Sequence, residues 1–109
     1  MSMEKYELKI FLSAEQDLMK ITNYLNELSL QSAIDLYDEI VQSIGSLQQM
    51  PMRCPLAKNT VLRMKKYRLL VVHNYVVFYV VIDNIVQIRR ILHGRRQYEF
   101  LLEETHGLS

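Results

Sequence analysis

Four arginines fall within eight residues of this chain: Arg89 and Arg90, then Arg95 and Arg96, with His93 and Gly94 between the pairs. The guanidinium group is a planar fork that meets two oxygens of a phosphate or carboxylate at once, so such a cluster suits recognition of an anion. Histidine titrates near neutrality, which makes His73 and His93 candidates for proton transfer. For both, a structural role is the favoured reading, and His93, ahead of a strand-ending turn, suits capping the strand or bonding a backbone carbonyl. Gly94 is expected to take a conformation that other residues resist, turning the chain so that Arg95 and Arg96 emerge together. The segment that follows, "QYEFLLEE", puts Tyr98, Leu101 and Leu102 at near-helical spacing with Phe100 alongside. It reads as an amphipathic end that packs on the body of the protein or against a partner.

The formal net charge of +1 conceals a segregation. Residues 1–52 hold three basic and eight acidic side chains, a balance of −5. Residues 53–96 hold ten basic ones (Arg53, Lys58, Arg63, Lys65, Lys66, Arg68, Arg89, Arg90, Arg95 and Arg96) against Asp83 alone, a balance of +9. Residues 97–109 return −3 through Glu99, Glu103 and Glu104. The field around the middle segment is therefore strongly positive and points to an anionic partner. Charge alone does not decide between an acidic protein and a nucleic acid.

A chain of 109 residues supports one domain around one core. With 50% hydrophobic residues it can pack a globule and escape global disorder. No run approaches the roughly 18–20 apolar residues of a membrane span. The N-terminal "MSMEKYELKI" has no apolar signal core ahead of its first acidic residues, so a cytoplasmic protein without a membrane role is expected. Cys54 stands alone, which excludes an internal disulfide or a cysteine-based zinc site and leaves it as a small hydrophobe in a loop. No metal and no cofactor is expected.

The elements that must position the basic residues follow from periodicity. In "YELKIFLS", Tyr6, Leu8, Ile10 and Leu12 alternate on one face of a short strand. Ser13 opens "SAEQ", a capping box that starts a helix, and Leu18, Ile21, Leu25 and Leu28 recur at helical spacing. A break near Ser29 leads to a second helix with Ala33, Leu36, Tyr37, Ile40, Ile44 and Leu47 on one side, ended before Pro51. So short a gap makes the two helices an antiparallel hairpin. Residues 50–60 hold both prolines and read as a loop. "VLRMKKYRLLVV", "YVVFYVVI" and "IVQIRRIL" then read as an antiparallel meander turning at His73-Asn74 and Asp83-Asn84. The middle run is apolar on both faces and belongs at the centre, covered on each side. In the last strand Val86, Ile88, Arg90 and Leu92 share one face and Arg89 lies on the other, with Arg90 suited to an ion pair with a helix carboxylate. The fold class is α+β, one domain over residues 1–109. An N-terminal strand and an antiparallel two-helix hairpin precede a three-to-four-stranded, mostly antiparallel sheet. A short C-terminal helical tail follows, and residues 103–109 are expected to be flexible.

Three of these stretches, taken in order, resemble the RelE/ParE superfamily of toxins from type II toxin–antitoxin modules. The helix hairpin ends in Met50-Pro51. "YRLLVVHNYVVFYVV" is similar to the family's basic strand, short turn and Tyr-centred apolar strand. "VQIRRILHGRRQY" is very like the ParE branch's final strand, which closes on a His-Gly-Arg-Arg sequence. The resemblance spans roughly Lys5 to Leu102. It implies a growth-inhibiting toxin of the plasmid-stabilisation type, held inactive by a cognate antitoxin that wraps its surface. Members of the RelE branch are ribosome-dependent mRNA endonucleases, whereas the ParE branch poisons DNA gyrase.

Cleaving RNA through its own 2′-hydroxyl needs a base, an acid for the leaving oxygen and cations for the phosphorane-like charge. Carried over from the nuclease branch, Arg96 falls on the last-strand arginine and Arg68 on the first basic strand position, with arginine in place of lysine. Leu70 stands where a second lysine belongs, and Val76 where an arginine does. Leu102 falls near the acid–base tyrosine, with Tyr98 a turn earlier. These departures and the "HGRR" ending favour the ParE branch and gyrase inhibition. The alternative is an mRNA endonuclease working through Arg68, Arg96, His93 and Tyr98, and a third reading is an inert antitoxin-binding partner. Arg63, Lys65, Lys66, Arg89 and Arg95 are the candidates for binding a target or an antitoxin. Exposed helix faces leave open a dimer or a toxin–antitoxin heterotetramer.

Overall fold

In a computed structural model describing residues 5–94, the chain runs β1 (Glu7–Ile10), α1 (Leu12–Leu28), α2 (Leu30–Ser46), α3 (Thr60–Met64), β2 (Arg68–Val72), β3 (Tyr75–Ile82) and β4 (Ile85–His93), with a 3-10 turn at Pro51–Arg53. The strands form one sheet in the order β1-β4-β3-β2. β2, β3 and β4 are the antiparallel meander, while β1 lies parallel to β4 in the register Glu7↔Ile85 to Ile10↔Ile88. The β3–β4 turn is tight because Asp83 and Asn84 both take left-handed backbone angles, φ 51° and 64°, which these two residue types tolerate. His73 does the same at the β2–β3 turn with φ 54°.

The helix hairpin covers one face of the sheet. Leu36, Ile40, Ile44 and Leu47 of the α2 side pack with Val77 and Tyr79 of β3 and with Val86, Ile88 and Ile91 of β4. The other face is sealed by the segment leading into β2: Ala57, Leu62 and Tyr67 enclose Phe78, Val80 and Leu92. The run that is apolar on both sides is thus covered on both sides, as its composition requires. Ser29 caps α2 by accepting from the Ser32 amide, which fixes the hairpin's break where it was expected. Buried Cys54 is a free thiol in the loop. No helix among the described residues is long and apolar enough to cross a membrane.

Three local expectations fail. The helix starts one residue before Ser13, with Phe11 at the cap position and no side-chain cap, because the Ser13 hydroxyl is engaged elsewhere. Leu12 accordingly begins α1, exposed, instead of closing the strand's apolar face. Residues 61–64, expected within a strand, instead form α3, whose first turn is capped when Asn59 accepts from the Leu62 amide at 3.1 Å. That helical turn delivers Leu62 to the second core cluster, and burial there outweighs the β-preference of "TVL". Within α2, Tyr37 lies outside the buried stripe and is exposed.

Candidate functional site

Where β1 stops, α1 takes over its place beside β4. The Phe11 amide bonds the Ile88 carbonyl at 2.9 Å. One step on, the Ser13 hydroxyl donates to the Arg89 carbonyl at 2.9 Å. One helical turn further, Asp17 Oδ2 accepts from the Ile91 amide at 3.0 Å. Ser13 and Asp17 are the buried polar residues of the described chain, and both extend a strand ladder with side chains. Asp17 also receives the Arg90 guanidinium, Nε to Oδ2 at 2.6 Å and Nη2 to Oδ1 at 2.8 Å, the two side chains 8% and 13% exposed. Arg90 therefore forms the structural ion pair with a helix carboxylate that its position suggested.

This arrangement depends on a β-bulge. Ile88 stands opposite Tyr79 and Arg90 opposite Phe78, so Arg89 is the extra residue. The slip corrects the expected face sharing: Ile91 joins Val86 and Ile88 in the helix-side core, while Leu92 crosses to the other cluster. Arg89 itself is held on several sides. Its Nη2 and Nε donate to Gln87 Oε1 at 2.9 and 3.3 Å, and its Nη1 to the Tyr67 hydroxyl at 3.4 Å. The guanidinium carbon lies 4.9 Å from the centre of the Phe11 ring and 5.8 Å from that of Tyr67. Lys9 Nζ shares the Phe11 ring at 5.1 Å. Tyr67 is preceded by exposed Lys65 and Lys66, the latter at φ 68°, and Arg63 lies exposed in the last turn of α3.

The other predicted residues are not gathered here. Arg68 Nη1 donates to the Cys54 carbonyl at 2.6 Å and the Met52 carbonyl at 3.2 Å, tying the proline loop to β2. The same loop is held from below by Tyr79, whose hydroxyl donates to the Pro51 carbonyl at 2.6 Å. Burial, reinforced by the Cys54 side chain, pushes the Tyr79 phenol above the ordinary tyrosine range. His73 Nε2 meets Glu39 Oε2 of α2 at 2.6 Å on the surface. His93 packs edge-on against Tyr75, ring centres 5.5 Å apart, and lines an open cleft of about 460 Å³ with Lys20, Tyr24 and Tyr75. Gly94 does not take a left-handed conformation. Its amide bonds the Asn74 carbonyl at 2.8 Å, and an added Cβ would stand 3.4 Å from that same oxygen. Arg95, Arg96, Tyr98 and the tail from Phe100 to Leu102 lie outside the described residues. Among the described residues no group of three or more His, Cys, Asp or Glu is placed to hold a metal ion.

Asp17, Gln87, Phe11, Tyr67 and Lys9 escaped the sequence reading. Asp17 had a detectable signal, since it falls in step with Ala14 and Ile21 on the stripe that faces the core. Gln87 and Arg89 also stand two apart, the spacing that puts strand neighbours on one face.

A family model described as "ParE toxin of type II toxin-antitoxin system, parDE" matches residues 8–98. Among solved structures, the chain is similar to one in the chromosomal ParDE toxin–antitoxin system of Pseudomonas aeruginosa, with TM-score 0.71 and 21% identity over 83% of this chain and 97% of that one. It is also similar to one in a RelBE toxin–antitoxin complex of Mycobacterium tuberculosis, with TM-score 0.56 and 20% identity over 84% and 94% of the two chains. No curated protein matches it significantly by sequence. At such identities the structural likeness is one of fold, and it is the α+β arrangement that the sequence implied.

Proposed function

We propose that this chain, which belongs to the ParE toxin family of type II toxin–antitoxin systems, arrests growth by binding DNA gyrase and is not itself a catalyst. One observation carries this reading: Arg68, the described arginine of the nuclease set, is engaged by the fold, and so is His73. Arg68 is spent on two loop carbonyls, and His73 pairs with Glu39. Leu70 and Val76, where the nuclease branch has cations, offer no charge. A toxin that works by occupying its target needs a shaped, charged surface, and the Arg89 cluster and its basic neighbours supply one.

The silencing partner is a cognate antitoxin. Supporting this is an apolar groove of about 470 Å³ between the helices and β1, lined by Leu8, Ile10, Leu18, Met19, Tyr37 and Val41. Several of these are exposed, and a surface of that kind fits the apolar face of an amphipathic segment.

A second reading has its own observation. His93 lines an open cleft with Tyr24 and Tyr75 immediately before Arg95, Arg96 and Tyr98 in the chain, so an mRNA endonuclease built on those residues is the competitor. The test is to induce the wild-type chain and Arg96→Ala, map mRNA 5′ ends within minutes, and probe for gyrase trapped on cut DNA. Trapped complexes without new 5′ ends support gyrase as the target. New ends inside codons that vanish in Arg96→Ala refute it in favour of the nuclease, and unimpaired growth leaves an inert antitoxin-binding partner.

A further inference from the structure

We infer that the sheet face centred on Arg89 docks onto the sugar–phosphate backbone of duplex DNA. Three observations converge. Arg89 and Lys9 share the Phe11 ring, and among the described residues neither has a carboxylate partner. Two cations without a counter-charge make this patch locally positive, and an incoming anion supplies the missing opposite charge. Arg89 is also fixed in advance: Gln87 takes Nε and Nη2, Tyr67 takes Nη1, and the guanidinium carbon lies within 6 Å of two ring centres. A guanidinium has five N–H donors, so this clamp leaves two to offer an oxyanion without further ordering.

The chemistry favours a polyanion over a single carboxylate, because Arg63, Lys65 and Lys66 continue the charge along the segment that leads into Tyr67. It favours a duplex over a single strand for a different reason. The aromatic rings of the site are buried, Phe11 at 5% and Tyr67 at 1% exposure, so they support the cations and present no platform for an unstacked base. Backbone contacts of this kind carry affinity and salt dependence without reading sequence. The inference rests on the gyrase reading, since gyrase is the candidate target that holds duplex DNA while the toxin is bound.

The test is fluorescence anisotropy of the purified full chain with a labelled DNA duplex and with single-stranded RNA of the same sequence, across a salt series and without gyrase. The wild type should prefer the duplex and release it as salt rises. Arg89→Gln and Lys9→Gln should each weaken binding about tenfold and lower the salt slope by about one. Arg89→Lys should keep the slope, because the charge remains, yet still weaken binding through loss of the fork. Arg53→Gln removes an exposed cation that bonds Ser46 and should change nothing. Lys9 is exposed, so its variant retains the fold if Arg89→Gln does not. Absence of duplex binding, preference for RNA, or equal losses in Arg53→Gln would overturn the inference. Gyrase trapping retained in full by Lys9→Gln and Arg89→Gln would also sink it while sparing the target. Duplex binding as predicted with no trapped gyrase would remove the target and leave the surface standing.

Discussion

Asp17→Ala is the most informative single change to the fold. The carboxylate accepts two hydrogen bonds from Arg90 and one from the Ile91 amide, in a place where both charged side chains are at least 87% covered. Removing it takes the carboxylate from a largely desolvated guanidinium, and breaking a buried pair in this way usually costs about 3–5 kcal/mol. It also takes the acceptor from a buried amide, itself worth about 1–3 kcal/mol, although the two losses overlap and do not simply add. Taking about 4 kcal/mol, the midpoint of thermal unfolding should fall by roughly 16 °C or more in a domain of this size. Asp17→Asn keeps an acceptor for Ile91 and should fall less. The decisive comparison is Asp17→Leu combined with Arg90→Met, because an apolar pair of similar volume restores much of what breaking the ion pair loses. Circular dichroism melts of all four proteins would measure this. A loss below about 1 kcal/mol in Asp17→Ala would refute the claim that the pair is buried and shared with the β4 backbone.

Tyr79→Phe should cost about 1–2 kcal/mol at neutral pH by leaving the Pro51 carbonyl unpaired, read from urea unfolding. The raised phenol binds its proton more tightly folded than unfolded. Its contribution is therefore complete below the ordinary tyrosine range and is lost as pH climbs above about 10, so the wild type should weaken there while Tyr79→Phe shows a flatter alkaline limb. Arg68→Ala should lower stability by about 1–3 kcal/mol through the loop carbonyls, and toxicity should recover at lower growth temperature. Complete loss of toxicity with unchanged stability would instead return Arg68 to the catalytic role.

Most of the architecture was legible because burial writes a period into the sequence. The two helices, both turns and the doubly covered central strand all follow from where apolar residues recur. What could not be read is where a side chain does the work of a backbone. "SAEQ" has the pattern of a capping box, yet Ser13 spends its hydroxyl on Arg89, a partner that exists only once the sheet has formed. The bulge at Arg89 was likewise invisible, because "IRRIL" alternates acceptably in either register until Asp17 chooses one. Asn59 offered a cap for α3, but it competed with a run rich in strand formers. Of the candidate site, Arg89 and its charge were evident and Gln87 stood two residues away, but the Phe11 and Tyr67 rings beside it come from elements far apart in the chain.

The contacts that lock β4 in place join residues 76, 73 and 74 positions apart: Ser13 with Arg89, and Asp17 with Arg90 and Ile91. Closure over such separations is slow and comes late, since most of the chain must be present before the pairing repays its entropy. On the ribosome the order is stricter still. α1 is made before β4, and its Asp17 carboxylate does not meet Arg90 until β4 has been synthesised. A nascent chain that stalls before Arg90 cannot complete either the sheet or the Arg89 surface. The topology thus makes completion of the sheet wait on β4, whose partners in β1 and α1 lie more than 70 residues earlier in the chain.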